Sequence, residues 1–298
     1  MNFDPAPNRL QIFHVDVFSA RAFLGNPLAV LVVDSAAPIN TESMQRIANW
    51  LNLSESTFVQ PAADGLSYHV RIFTPKQELP FAGHPSLGTA AALFAAGALS
   101  ADTAHYTQHC AAGALAVWRE GENWFVQAPA ATLTPIVLSA GQELAKICGL
   151  ALRGCVPAVI ALGPRWAVAE FCSSEALLAA QPDFSALAAW NLAHGNIGLA
   201  AFARGVDAQG EYLEVRCFVP LDGISEDPVT GSGNAAIAAF LHINQDFNGL
   251  PRSYRARQGR ALGRDGRLQM IVSETGEIAV GGVVTQVAAG ELLALPLD

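Results

Sequence analysis

The sequence predicts an α+β protein of two similar domains, each a β-barrel closed around one central helix, with the two related by a pseudo-twofold axis. Three observations predict it. A strand, glycine-loop and helix unit beginning at Val70 returns 145 residues later at Val215. The helix of each copy is apolar all round, so sheet must wrap it. Strand-like stretches flank both copies. At 298 residues the chain is long enough for two ordinary domains, and with 51% hydrophobic but only 14% charged residues it reads as globular, not disordered.

Taken in order, residues 10–18 alternate and are rich in β-branched and aromatic side chains, which predicts a strand. Gly25, Asn26 and Pro27 make a turn into a second strand at 28–33. Thr41 is placed to cap a helix over 42–51, where Met44, Ile47, Ala48 and Leu51 recur at helical spacing. A short strand at 57–59 follows, so Glu55, between Ser54 and Ser56, falls at a helix-to-strand junction. The strand 68–74 ends at Pro75, which cannot donate to a ladder. Residues 81–88 read as a loop feeding a helix over 89–96, with Gly97 as its stop.

The repeat pairs Val70, Arg71, Phe73 and Pro75 with Val215, Arg216, Phe218 and Pro220. At the same offset Gly88, Ala90 and Ala91 meet Gly233, Ala235 and Ala236. Strand-like stretches at 115–118, 124–127, 158–162, 166–171 and 268–272 supply the wrapping, each half reading as a curved sheet or barrel around its helix. The alanine- and proline-rich segment 128–135 reads as the linker. The expected domains are 1–128 and 129–298, with the last strand able to return to the first.

A formal net charge of −9 with no basic cluster excludes nucleic acid as an expected partner. No apolar run approaches the roughly 18 residues of a membrane span. Residues 1–10 have neither a charged leader nor an apolar core, so a cytoplasmic protein is expected. Cys110, Cys148, Cys155, Cys172 and Cys217 are odd in number, scattered and without a CxxC pair, and none stands in or beside the glycine loops in sequence. Free thiols are expected, not disulfides or zinc. His105 and His109 have ligand spacing for a helix but no helix signal, so no metal is expected there.

The second glycine loop runs from Glu226 to Asn234 and places small residues at a helix start, where backbone N–H groups and the helix dipole favour an anion. A carboxylate or phosphate would suit it. Asp227 or Ser232 could equally be a plain helix cap, with Pro228 in the first turn. His84 stands in the matching loop, as a site residue or as a histidine satisfied in a turn. Glu55 on its own reads as readily as a surface charge. Duplication favours the functional reading, because helix tips facing one cleft would offer donors to a small anion from both sides, with His84, Asp227 and Ser232 at its rim.

Residues 52–58, 81–88 and 226–232, together with the Val15, Asp16, Val17 and Phe18 run and the Gly25, Asn26 and Pro27 turn, resemble in order and spacing the PhzF (phenazine biosynthesis) family. The likeness spans nearly the whole chain. It implies the diaminopimelate epimerase-like fold, a catalytic Glu55, substrate binding by His84, Asp227 and Ser232, and backbone of Gly83 and Gly231 lining the site. One departure is the run Gly263, Arg264, Asp265, Gly266 and Arg267, where the family more often has Pro-Ser after Gly-Arg.

In related epimerases two cysteines in these loops work on opposite faces of a carbon, and here the loops hold none. The expectation is therefore a cofactor-independent isomerase that moves a proton within a small carboxylic acid. Glu55 would act as base and then acid, its pKa raised as the cleft closes, with Asp227, His84 and Ser232 orienting the substrate and stabilising developing charge. The alternatives are an epimerase or lyase on an amino acid-like substrate, with Asp227 as second group, and a binding protein without activity. No cofactor is called for, and a homodimer is compatible with so few charges.

Overall fold

Alternating apolar residues pair where their two faces meet different layers. In the computed structural model, which describes residues 8–34 and 39–294, β1 (Asn8–Val17) lies antiparallel to β2 (Asn26–Val32). The helix α1 (Thr41–Leu51) then crosses to β3 (Ser56–Pro61), parallel to β2. Its cap is Asn40 and not Thr41: the Asn40 side chain accepts the Ser43 N–H, and Thr41 is already helical.

β4 (Ser67–Phe73) returns antiparallel to β3, and the two-residue β5 (Glu78–Leu79) folds back on its end. The helix α2 (Gly83–Ala95) crosses to β6 (His105–Cys110), parallel to β4. β7 (Gly113–Glu120) and β8 (Asn123–Gln127) continue antiparallel. α2 begins six residues earlier than the sequence predicts, at Gly83 and not Thr89. Pro85 is tolerated because the first helical turn leaves its N–H groups without intrahelical acceptors. Gly88 is a packing position, not a loop: a Cβ there would come within 2.5 Å of Leu28 Cδ2.

The second half starts with a correction. Of the segment expected to be a linker, Thr132–Pro135 forms a strand, β9, antiparallel to β10 (Ala158–Ala161), with α3 (Leu138–Cys148) between them. β11 (Arg165–Glu170), α4 (Ser174–Ala179), α5 (Phe184–His194) and β12 (Gly198–Asp207) follow, β12 parallel to β11. β13 (Gly210–Phe218), the two-residue β14 (Glu226–Asp227), α6 (Gly231–Ile243) and β15 (Ser253–Gln258) repeat the order of β4, β5, α2 and β6. β16 (Gly266–Val272) and β17 (Ile278–Ala294), antiparallel to each other, are the last of the described elements.

The chain forms two compact units, one of residues up to Val126 with those from Val283, the other of Gln127 to Gly282. In each, sheet wraps a central helix, α2 or α6, whose residues are buried for most of its length, as an apolar helix without a solvent face requires. Each sheet also carries an outer helical layer. In the first unit α1 packs Met44 and Ala48 on Leu10, Ala29, Leu31 and Phe58. In the second α3, α4 and α5 pack Leu144, Leu177 and Trp190 on β10 to β13. Among the described residues no helix is long and apolar enough to cross a membrane.

The internal repeat is real but slips. Phe73 faces Glu78 in the first copy and Phe218 faces Glu226 in the second, and a bidentate ion pair joins each strand's arginine to that glutamate, Arg71 to Glu78 and Arg216 to Glu226. From there the copies match as Glu78, Pro80 and Gly83 against Glu226, Pro228 and Gly231, three residues further than the strands do. The three extra residues fall between Phe218 and Glu226, in the segment that holds the 3-10 turn Pro220–Asp222 of the second copy. The apparent identity of Gly88 with Gly233 is thus a coincidence within alanine-rich helices, and His84 corresponds to Ser232 as the second residue of its helix.

Candidate active site

Glu55 owes its place to the end of α1. Asn52 closes that helix in the left-handed conformation, φ 52°, and returns its N–H to Ala48. The Ser54 hydroxyl then donates to the side-chain oxygen of buried Asn26 at 3.3 Å, and β3 starts at Ser56. Thr57 and Thr89 hydroxyls meet at 2.9 Å and tie β3 to α2. This brings the Glu55 carboxylate within 3.5 Å of His84 Nε2, with the two side chains 18% and 7% exposed. A carboxylate and an imidazole held at that distance and largely out of water can hold, give and take protons. Gly83 opens α2 beside them, at the positive end of the helix dipole.

In the second unit Asp227 is the last residue of β14, and Thr230 caps α6 by backbone conformation without a side-chain cap bond. The capping roles weighed for Asp227 and Ser232 do not hold: Asp227 Oδ2 accepts the Thr230 hydroxyl at 2.5 Å, and Ser232 lies inside the first turn. Pro228 precedes the helix instead of starting it. Ser232 Oγ accepts the Trp166 indole N–H at 3.2 Å. Gly231 starts the helix, and Gly233 is required by packing, because a Cβ there would meet Cys217 Sγ at 2.4 Å.

No cysteine stands in either glycine loop in sequence, but the fold brings Cys217 against the second one. It sits on β13 directly behind the second one, where burial pushes its thiol pKa far above the ordinary value. A thiol so held stays protonated and is no base. His105 and His109 lie on a strand, and His109 stacks on His69 of the adjacent strand. Among the described residues no group of three or more His, Cys, Asp or Glu could hold a metal ion.

Sequence reasoning missed Gln258, Gln108 and Trp166. Gln108 donates from Nε2 to Ser86 Oγ at 2.9 Å, and Ser86 donates to the Ala82 carbonyl before α2. Gln258 does comparable work before α6. The signal was present: both glutamines occupy the inward phase of alternating strands, in line with Tyr106 in one and Tyr254 and Ala256 in the other.

The position matching Glu55 in the second unit decides how many bases the duplication supplies. Ser56 faces Phe73 and Leu199 faces Phe218, so Glu55 corresponds to Gly198. A Cβ at Gly198 would stand 2.3 Å from the Phe218 carbonyl oxygen and 2.9 Å from both Trp166 and Val219. There is no room for a second carboxylate.

The fold, α+β with a barrel around a helix in each half, is the diaminopimelate epimerase-like one, and the relatives it is matched with make the chain an isomerase. The family model described as phenazine biosynthesis-like protein matches residues 15–290, and the chain belongs to that family, the PhzF family. The trans-2,3-dihydro-3-hydroxyanthranilate isomerase of Pseudomonas fluorescens is 35% identical over 76% of this chain and 78% of its own. The Schizosaccharomyces pombe protein called antisense-enhancing sequence 1 is 33% identical, over 89% and 92%. A Bacillus anthracis PhzF-family crystal structure superposes with a TM-score of 0.83, covering 96% of this chain and 99% of that one; at 23% identity it speaks to fold alone.

Proposed function

We propose that this isomerase moves a proton between two carbons of one small carboxylic acid, with Glu55 as the carbon acid–base group. The carrying observation is the pairing of Glu55 with His84 in one unit against Gly198, without space for a side chain, at the matching position of the other. A single carboxylate that takes a proton and returns it to the same face suits a shift within an unsaturated acid. Inversion of a stereocentre needs groups on two faces. The protonated Cys217 and the crowded Gly198 weigh against that reading.

In this proposal His84 holds the Glu55 carboxylate and hydrogen-bonds the substrate, while Asp227 and Ser232 serve the same substrate molecule. Asp227 accepts from a substrate N–H or O–H, and Ser232 donates to its carboxylate or to developing negative charge. Gly83 and Gly231 open their helices with backbone donors and no side chain in the way. No step calls for a cofactor. Support for a cyclic unsaturated amino acid as substrate comes from the named activity of the Pseudomonas fluorescens relative.

The test is incubation of wild type and Glu55→Gln with trans-2,3-dihydro-3-hydroxyanthranilate and a panel of cyclic and amino acids in D₂O, followed by NMR. Wild type is expected to move hydrogen in at least one of them, and the variant to be slower by about 10²–10⁴-fold. Equal rates would remove Glu55 from the mechanism. Inertness of wild type across the panel would favour a binding role.

A further inference from the structure

We infer that Gln258, a fully buried residue on β15, is a positioning residue that sets the direction of the hydrogen bonds ending on Asp227. Its amide has two donors and two acceptor lone pairs, and all are used. Nε2 donates to the Asp227 carbonyl at 3.0 Å and to Thr230 Oγ1 at 2.9 Å. Oε1 accepts the Thr230 N–H at 3.0 Å and Asn234 Nδ2 at 2.9 Å. A carbonyl can only accept and an N–H can only donate, so these contacts fix which end of the amide is which.

The consequence passes through Thr230. Because its oxygen already accepts from Gln258, its own proton points to Asp227 Oδ2, 2.5 Å away. A hydroxyl donating to a carboxylate is a charge-assisted bond, shorter and about twice as strong as a neutral one. Gln258 thereby holds Asp227 as an anionic acceptor in one rotamer, ready for a donor on the substrate. Two further titratable groups pack here: Cys217 on β13, whose thiol burial pushes far up and which also meets the Thr230 and Gln258 side chains, and Glu226 on β14, paired with Arg216.

The inference rests on the proposed role of Asp227, but its test needs no substrate. Protein carrying [¹³Cγ]aspartate is titrated by NMR, with the Asp227 signal assigned by its loss in Asp227→Asn. In Gln258→Met, which removes both donors and both acceptors, the Asp227 midpoint is expected to rise by about one pH unit. Thr230→Val, which keeps the shape and removes only the relay, is expected to give the same rise even if Gln258→Met does not fold. The double variant should rise no further than either.

An unchanged midpoint in Thr230→Val, or additive shifts in the double variant, would overturn the relay. Full turnover in Asp227→Asn would instead sink the catalytic reading and leave the titration result standing, so the two failures are distinguishable.

Discussion

The two halves share a frame and differ in the groups mounted on it. Strand arginine to glutamate, proline, glycine-started helix and buried glutamine behind that helix occur in both. At the matching positions the first half carries Glu55, Leu79 and His84, and the second carries Gly198, Asp227 and Ser232. Duplication has kept the scaffold, and on the proposed reading it has divided the labour. Acid–base groups stand on one copy, while the other carries hydrogen-bonding groups in front of a crowded glycine.

The halves also differ in cover. The ion pair Arg216 to Glu226 is buried, and Arg216 Nη1 donates in addition to the carbonyls of Leu177 and Ala180 at the end of α4. Its counterpart, Arg71 to Glu78, meets the outer layer at the start of α1, where Arg71 Nη2 donates to Thr41 Oγ1 at 3.0 Å, yet remains about a third exposed. The comparison predicts unequal costs. Arg216→Met should destabilise by about 3–5 kcal/mol, because it strands Glu226 in the interior. Urea unfolding measures it, and a loss below that of the Arg71 variant would contradict the difference in cover.

Next in size is Gly198→Ala, expected to cost about 1–3 kcal/mol by overpacking against Phe218, Trp166 and Val219. A variant as stable as wild type would show that the second half can accept a side chain there, which breaks the one-base comparison at its root.

Arg71→Met should cost under about 1 kcal/mol. Arg71 holds the Glu78 carboxyl below its ordinary pKa. A depressed carboxylate stabilises the fold above its unfolded pKa, and that stability is lost as pH falls through the folded value. The difference between wild type and Arg71→Met should therefore shrink on acidification, and growth at low pH would refute the pairing. The smallest effect concerns thiols. Burial pushes Cys148 up to about 12 and Cys217 further, so a thiol reagent near neutral pH should label exposed Cys172 first and neither of those.

Much of this was legible in the sequence, because the alternation of β1, β4 and β13 and the uncharged helices follow from burial alone. The fold class and family followed from the repeat and the loop motifs. The slip of three residues was not legible: alanine and glycine are so frequent in both helices that a wrong register still gave identities, and it is the strand pairing and the Arg to Glu ion pairs that locate the insertion between Phe218 and Glu226. The start of α2 was set six residues too late because Gly83 and Pro85 read locally as loop, although a first helical turn accommodates both. The pairing of Glu55 with His84 joins residues on different elements, and the roles of Gln258 and Trp166 depend on contacts far apart in the chain.

The division of labour between the halves is tested most directly by the fate of the migrating hydrogen. Substrate deuterated at the carbon that loses its proton is converted in H₂O, and the product is analysed for label and configuration. One carboxylate acting on one face predicts that a measurable fraction of product keeps the substrate's own deuterium at the receiving carbon. Product with hydrogen drawn wholly from solvent and a centre inverted would require a second base, and would contradict Glu55 as the sole carrier.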